Sequence, residues 1–362
     1  MRTSAQVTRR GDFAVGVAAL LALVLGGCAG ASEIPSASQP ATDGSTGGAP
    51  SAAGDPARAP AGGVVSVRTA EQLESALAGA VPGTIIELSS GVYARKQRWE
   101  AASDGTETEP ITLRGPADAV LTSSRGITGN YGLWITGDHW RVEGITITEA
   151  SKGIVLDGSV GTIIDGVTVS EIGEEGVHFR ACSSDGVLRN STIVGTGRKK
   201  ERFGEGVYVG SANSNWDKYA CEGERDATEN TLIERNTFRD TSAEGADLKE
   251  GTTSGILRDN VFDDTGWSGE NSADSAVDAK GNGWLVEGNV VRNASRAFLD
   301  AFQTHEVYED YGTENVFRDN TVEGRIPGFG FGMYPQLDNV VACSNSAPGA
   351  ELGLLSDGRC VP

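Results

Sequence analysis

Seven short stretches of one form, VEGITI, IDGVTV, LRNSTI, IERNTF, LRDNVF, VEGNVV and FRDNTV, recur along the chain. Aligned and extended to Asn345, they give a column of Ile145, Val167, Ser191, Asn236, Asn260, Asn289, Asn320 and Asn345, with steps of 22, 24, 45, 24, 29, 31 and 25 residues. A base period of 22 to 25 residues, made of short alternating strands and punctuated by Gly and Asn, suits coils stacked about 4.8 Å apart. Leucine-rich repeats share the period but need a Leu framework that is absent. The repeat therefore predicts an all-β chain, a single-stranded right-handed parallel β-helix of about eight coils. The five Asn read as a structural ladder whose amides bond to one another and to turn backbone.

Composition agrees, with 50 Gly among 362 residues and only 6% aromatics. Against 30 basic side chains stand 50 acidic ones, a net charge of −20, and no dense basic cluster offsets it, which excludes a nucleic-acid partner. Only residues 13–25 approach membrane thickness, so the chain is not a multi-span membrane protein. Arg2, Arg9 and Arg10 precede that stretch and Leu25-Gly26-Gly27-Cys28 closes it, which resembles a bacterial lipoprotein signal. Three segments are expected: a signal peptide over 1–27, a lipidated Cys28 with a flexible Ala/Ser/Pro/Gly tether to residue 63, and a folded domain over 64–362. Such a protein sits on the outer face of the membrane, touching it only through lipid, or is secreted, and is expected to be a monomer. Sec and twin-arginine export both remain open.

Thr69 is a candidate N-cap for a helix to Ala80 that places Leu73, Ala76, Leu77 and Ala80 on one face. Such a helix would cover the open end of the first coil. Outside the cytoplasm the four cysteines after Cys28 read as disulfides, and the repeat register selects Cys182–Cys221 and Cys343–Cys360.

A second strand recurs in each coil, at GIVLDG, GVHFRA, GVYVGS, GADLKEG, AVDAKG and FLDAF. With Ile154, Val177, Val207, Ala246, Val277 and Leu299 inward, period-two alternation turns Val155, His178, Tyr208, Asp247, Asp278 and Asp300 outward. Two residues on, Asp157, Arg180, Gly210, Lys249, Lys280 and Phe302 form a second outward column. Lys152, Glu175, Glu205, Glu244 and Ser275 form a third. Acidic groups outnumber basic ones on this face, and stacked carboxylates call for a cation. All-oxygen ligands at an exported site favour Ca²⁺, with Glu205, Glu244, Asp247 and Asp278 as ligands. Tyr208, Trp216 and Phe302 are candidate sugar platforms, Asp300 a further substrate contact, His178 a candidate proton shuttle and Arg180 a candidate catalytic cation.

The phrases VRTAEQLESALAGAVPGTIIELSSGVY, EPITLRG, SAEGADLKEGTTSGILRDNVF and ADSAVDAKGNGWLVEGN resemble the β-helical polysaccharide lyases of the chondroitinase B and alginate lyase type, over about residues 66 to 340. The resemblance implies Glu244 as a calcium ligand, Lys249 as the base and Lys280 as the cation of the next coil. The family's next-coil residue is usually Arg, and its Asn calcium ligand has no clear counterpart here. The chemistry leads the same way. A lyase must remove the proton α to a uronate carboxylate, and that requires the carboxylate's charge to be neutralised. The expected partner is an acidic polysaccharide. Two other classes stay open: an inverting glycoside hydrolase using Asp247 with Asp300, and a non-catalytic glycan-binding surface lipoprotein.

Overall fold

The computed structural model describes residues 62–362 apart from 220, 222, 223 and 293–296. The expected signal peptide, the lipidated Cys28 and the tether up to residue 61 lie outside the described residues.

Three parallel sheets make up the domain. The first has eleven strands, from Val64–Val67 to Val340–Val341. The second has nine, from Gly91–Arg95 to Thr321–Val322, and the third ten, from Trp99–Ala101 to Gly353–Leu355. Successive coils each lend one strand to each sheet, giving a right-handed parallel β-helix of about ten coils. The expected eight was too few. The Asn column starts only at Ile145, whereas earlier coils stack Ile86 and Leu113 inward without its corner pattern.

That corner has a backbone cause. The residue before each ladder position from Ile145 to Asn320 is left-handed: Gly144, Gly166, Asn190, Arg235, Asp259, Gly288 and Asp319 have φ between 51° and 73°. Gly, Asn and Asp tolerate this conformation best, which explains their recurrence in the pattern. From Ser191 onward, each ladder residue's backbone N–H donates to the Asn Oδ1 of the next rung at 2.9 to 3.0 Å. Each Asn Nδ2 from 236 to 320 also donates to the next Oδ1 at 3.0 Å. Asn260, Asn289 and Asn320 are thus stacked neighbours and wholly buried.

The capping helix spans Ala70–Ala78, with Thr69 and Gln72 forming a reciprocal capping box and Leu73, Ala76 and Leu77 buried. At the other end Val361 pairs beside Ala342 and the Cys343–Cys360 disulfide folds the tail back, with Cα atoms 4.9 Å apart. Cys182 and Cys221 form the second bridge, so both expected pairings are present. Among the described residues, no helix is long and apolar enough to cross a membrane.

Candidate active site

The third sheet carries the chemistry. Its register aligns Ile154, Val177, Val207, Ala246 and Val277 inward, as expected. One rung differs from expectation. Val277 pairs with Phe302, not Leu299, and Asp278 with Gln303, because the larger Phe302 side chain takes the interior. There it stacks on Phe331 with ring centroids 4.9 Å apart, while Leu299 is left exposed. Phe302 is therefore core and not a sugar platform. Asp300 shifts into the Glu column beside Ser275, is fully buried, and accepts from Phe329 N, Tyr334 Oη and Gln303 Nε2. It neither faces the groove as a substrate contact nor shares a column with Asp247, so the carboxylate pair expected for a hydrolase is not assembled.

The same shift places His305 beyond Lys280 in the second outward column. Its Nδ1 lies 2.9 Å from Asp278 Oδ1. Asp278 Oδ2 lies 2.7 Å from Lys280 Nζ, which reaches Asp247 Oδ1 at 2.8 Å. Asp247 Oδ2 is 3.5 Å from Lys249 Nζ, and that ammonium lies 5.6 Å from the Tyr208 ring centre. A chain of alternating charge thus crosses three rungs. Burial opposes the Lys280 charge, but Asp247, Asp278 and Glu244 outweigh it and hold the ammonium well above its ordinary range. Burial likewise opposes the Asp278 charge, yet Lys280 and His305 keep it well below the usual carboxylate range. Asp278, so paired, lies outside the group of converging carboxylates to which it was expected to belong.

The cluster that does form is Glu205, Glu244 and Asp247, all buried, with one carboxylate oxygen of each within 4.8 Å of the others. Lys152 answers the neighbouring Glu175, so the excess negative charge concentrates on these three. Glu205 Oε2 is buried without a hydrogen-bond partner. Burial, and then the adjacent carboxylates, push Glu205 well above its ordinary range. Burial and Asp247 push Glu244 up to about 8. Three hard oxygen donors with one orphaned oxygen fit a Ca²⁺-type ion.

His178 and Arg180 hold their expected outward columns and are as buried as Asp247 two rungs on. His178 Nε2 donates to the Gly210 carbonyl at 2.9 Å and its ring meets Tyr208 edge-on, while burial, then Arg180 and Lys152, hold the imidazole neutral. Arg180 makes two hydrogen bonds to Asp157 and lies 4.2 Å from the Tyr219 ring. Tyr208 is raised well above its ordinary range by burial, then Asp247 and Glu205, so its hydroxyl stays protonated. Trp216 donates to Ser211 O and packs 5.0 Å from Tyr308, joining two loops distant in sequence into one wall beside the lysines. Glu250, fully buried, anchors that wall by accepting from Asn213 N at 2.7 Å.

Residues 131–322 match the family model described as "Right handed beta helix region". Searched against curated proteins, the sequence has no match. Among solved structures, an alginate lyase from Paenibacillus sp. str. FPU-7 is 35% identical, with a TM-score of 0.75 over 81% of this chain and 99% of that one. The pectate lyase Pel9A, at 15% identity and a TM-score of 0.53, covers 78% of this chain and 72% of its own, and is alike in fold alone. So is a GH136 lacto-N-biosidase from Eubacterium ramulus, at 10% identity and a TM-score of 0.50, over 81% of this chain and 67% of its own.

Proposed function

The chain belongs to the right-handed β-helix family, and from that premise we propose that it is an exported, calcium-dependent lyase that cleaves a uronate-containing polysaccharide, alginate first among candidates, by β-elimination. The observation that carries this reading is the pair of lysines flanking Asp247 on successive rungs, beside a carboxylate cluster, in a chain 35% identical to nearly the whole of an alginate lyase.

Elimination requires a base for the proton on C5, a positive field on the adjoining carboxylate, and a proton for the oxygen that leaves C4. Lys249, acting as its neutral amine, is the base: its nitrogen has the looser contacts, 3.5 Å to Asp247 and 3.8 Å to Glu250. Lys280, locked at 2.8 and 2.7 Å between two aspartates, is a fixed cation facing the uronate carboxylate. Tyr208, kept protonated and adjacent to Lys249, is placed to protonate the leaving oxygen. Glu205, Glu244 and Asp247 would hold the calcium, which supplies further neutralisation of the substrate carboxylate and so acidifies its α-proton. Export and a lipid anchor at Cys28 complete the reading, consistent with two disulfides.

Replacing the base removes an interaction that matters chiefly in the transition state. Lys249→Ala should bind alginate with near-native affinity and form no unsaturated product. A variant with native turnover would remove Lys249 from the mechanism.

A further inference from the structure

North of the lysines the outward face changes character. The column that holds Asp247, Tyr208, His178 and Val155 continues to Trp134. Trp134 is half-buried and fixed: its Nε1 donates to Asp157 Oδ2 at 2.6 Å, and Asp157 is the carboxylate that clamps Arg180. Arg98 lies flat on it, the guanidinium carbon 3.3 Å from the ring centre. The Tyr131 ring stands between the two arginines, 6.0 Å from Arg98 and 5.9 Å from Arg180. Arg98 opens onto a cavity of about 590 Å³ lined also by Arg95, Gln97 and Asn130 and by the carboxylates Glu74 and Glu100.

The two arginines of this cavity differ. Arg95 is matched by Glu74 at 2.8 Å, whereas Arg98 comes only to 4.0 Å from Glu100 and keeps 37% of its side chain exposed. A guanidinium stacked on an indole is already ordered before a ligand arrives, and its planar set of N–H donors matches the geometry of a carboxylate. On the opposite side of the lysines the loop beyond His305 presents Glu306, Glu309 and Asp310, all exposed, which repel a polyanion. The late-coil side is thus acidic, whereas at the early coils Arg95, Arg180 and Arg98 stand beside Glu74, Asp157 and Glu100, with Arg98 the most loosely matched of the three.

Resting on the lyase reading above, we infer that Arg98, stacked on Trp134, with the cavity it lines, is a distal subsite that grips a uronate carboxylate of the same polysaccharide, so that the longer arm of the bound chain lies toward the capping helix. Trp134 is four rungs from Asp247 and Lys249, about 19 Å at ~4.8 Å per rung. Several sugar units separate the two points, so a short oligomer at the lysines does not reach Arg98. The subsite makes the enzyme favour long chains.

The test compares wild type, Arg98→Ala and Arg98→Lys on sodium alginate and on an alginate trisaccharide, with thermal unfolding to confirm the fold. The ratio of polymer KM to trisaccharide KM should rise roughly tenfold in Arg98→Ala, the change that ~1.4 kcal/mol produces. Arg98→Lys, which keeps the charge but not the planar stack, should fall between. Polymer binding by affinity electrophoresis, with each Arg98 change placed on Lys249→Ala, should weaken by the same factor. Unchanged ratio and unchanged binding would overturn the subsite, as would an equal loss on polymer and trisaccharide. If wild type forms no product from any polyuronide yet Arg98→Ala weakens polymer binding, the subsite stands and the lyase reading falls.

Discussion

Replacing Asn289 with Ala measures what the ladder contributes. Its Oδ1 accepts from Asn260 N and Asn260 Nδ2, each at 3.0 Å, and its Nδ2 donates to Leu257 O at 2.9 Å and Asn320 Oδ1 at 3.0 Å. The residue is fully buried, so no water replaces these bonds. Asn260 Nδ2 retains Ile233 O, but the Asn260 backbone N–H loses its only ladder partner. Four bonds at about 1 kcal/mol each, with a further ~1 for the stranded donor, give a loss of about 4 to 5 kcal/mol. Asn345 makes the same kinds of bond, but in the last ladder rung and with 6% of its surface exposed, where water can substitute. Its replacement should cost only about 1 to 2 kcal/mol. Urea unfolding followed by circular dichroism, extrapolated linearly to water, gives both values. A loss below about 1 kcal/mol for Asn289→Ala, or an equal loss at Asn345, would refute the ladder as a cooperative stack of buried bonds.

Three further outcomes follow from the site. Calcium titrated into metal-free protein should bind by calorimetry and raise the melting temperature, and Glu205→Gln with Glu244→Gln should abolish both effects; heat identical in the two proteins would refute the cluster as the ligand set. His305 loses solvent on folding, but its hydrogen bond to Asp278 and that charge outweigh the loss and raise its pKa. The contact's stabilisation is therefore full below the unfolded value of ~6.5 and disappears as pH rises through the folded value, so His305→Gln should destabilise in mild acid and be neutral in mild base; the reverse order would contradict the pairing. Replacing Cys182 and Cys221 together by Ser releases a loop spanning 39 residues, which should cost about 2 to 4 kcal/mol and raise KM as Trp216 and Tyr219 loosen over the groove; an unchanged KM would show that this wall does not touch substrate.

The parts of this fold that could be read from the sequence are those where one residue type is forced at one backbone position. A left-handed corner selects Gly, Asn or Asp, and an inward rung selects an apolar side chain, so the repeat and the two disulfides emerge directly. The register beyond residue 280 could not be read that way, since Phe298, Leu299 and Phe302 are all apolar and the spacing drifts over the preceding loop. Only packing decides, and Phe302 on Phe331 is the denser solution. That three-residue shift hid His305 and misplaced Asp300. Contacts between loops far apart in sequence, such as Trp216 with Tyr308, leave no periodic trace. Trp134 did leave one: GLWITG precedes GIVLDG at the spacing of the coils, and extending the outward column by one rung reaches it.

The central claim is elimination rather than hydrolysis, and the bond chemistry of the product decides it. Alginate digested with the purified protein in water enriched in heavy oxygen, followed by ultraviolet absorbance and mass spectrometry, reports both possibilities at once. Elimination predicts a conjugated double bond at each new non-reducing end, rising absorbance and no heavy oxygen at the cleaved bond. Saturated non-reducing ends, with the label on the anomeric carbon of the new reducing ends, would contradict it.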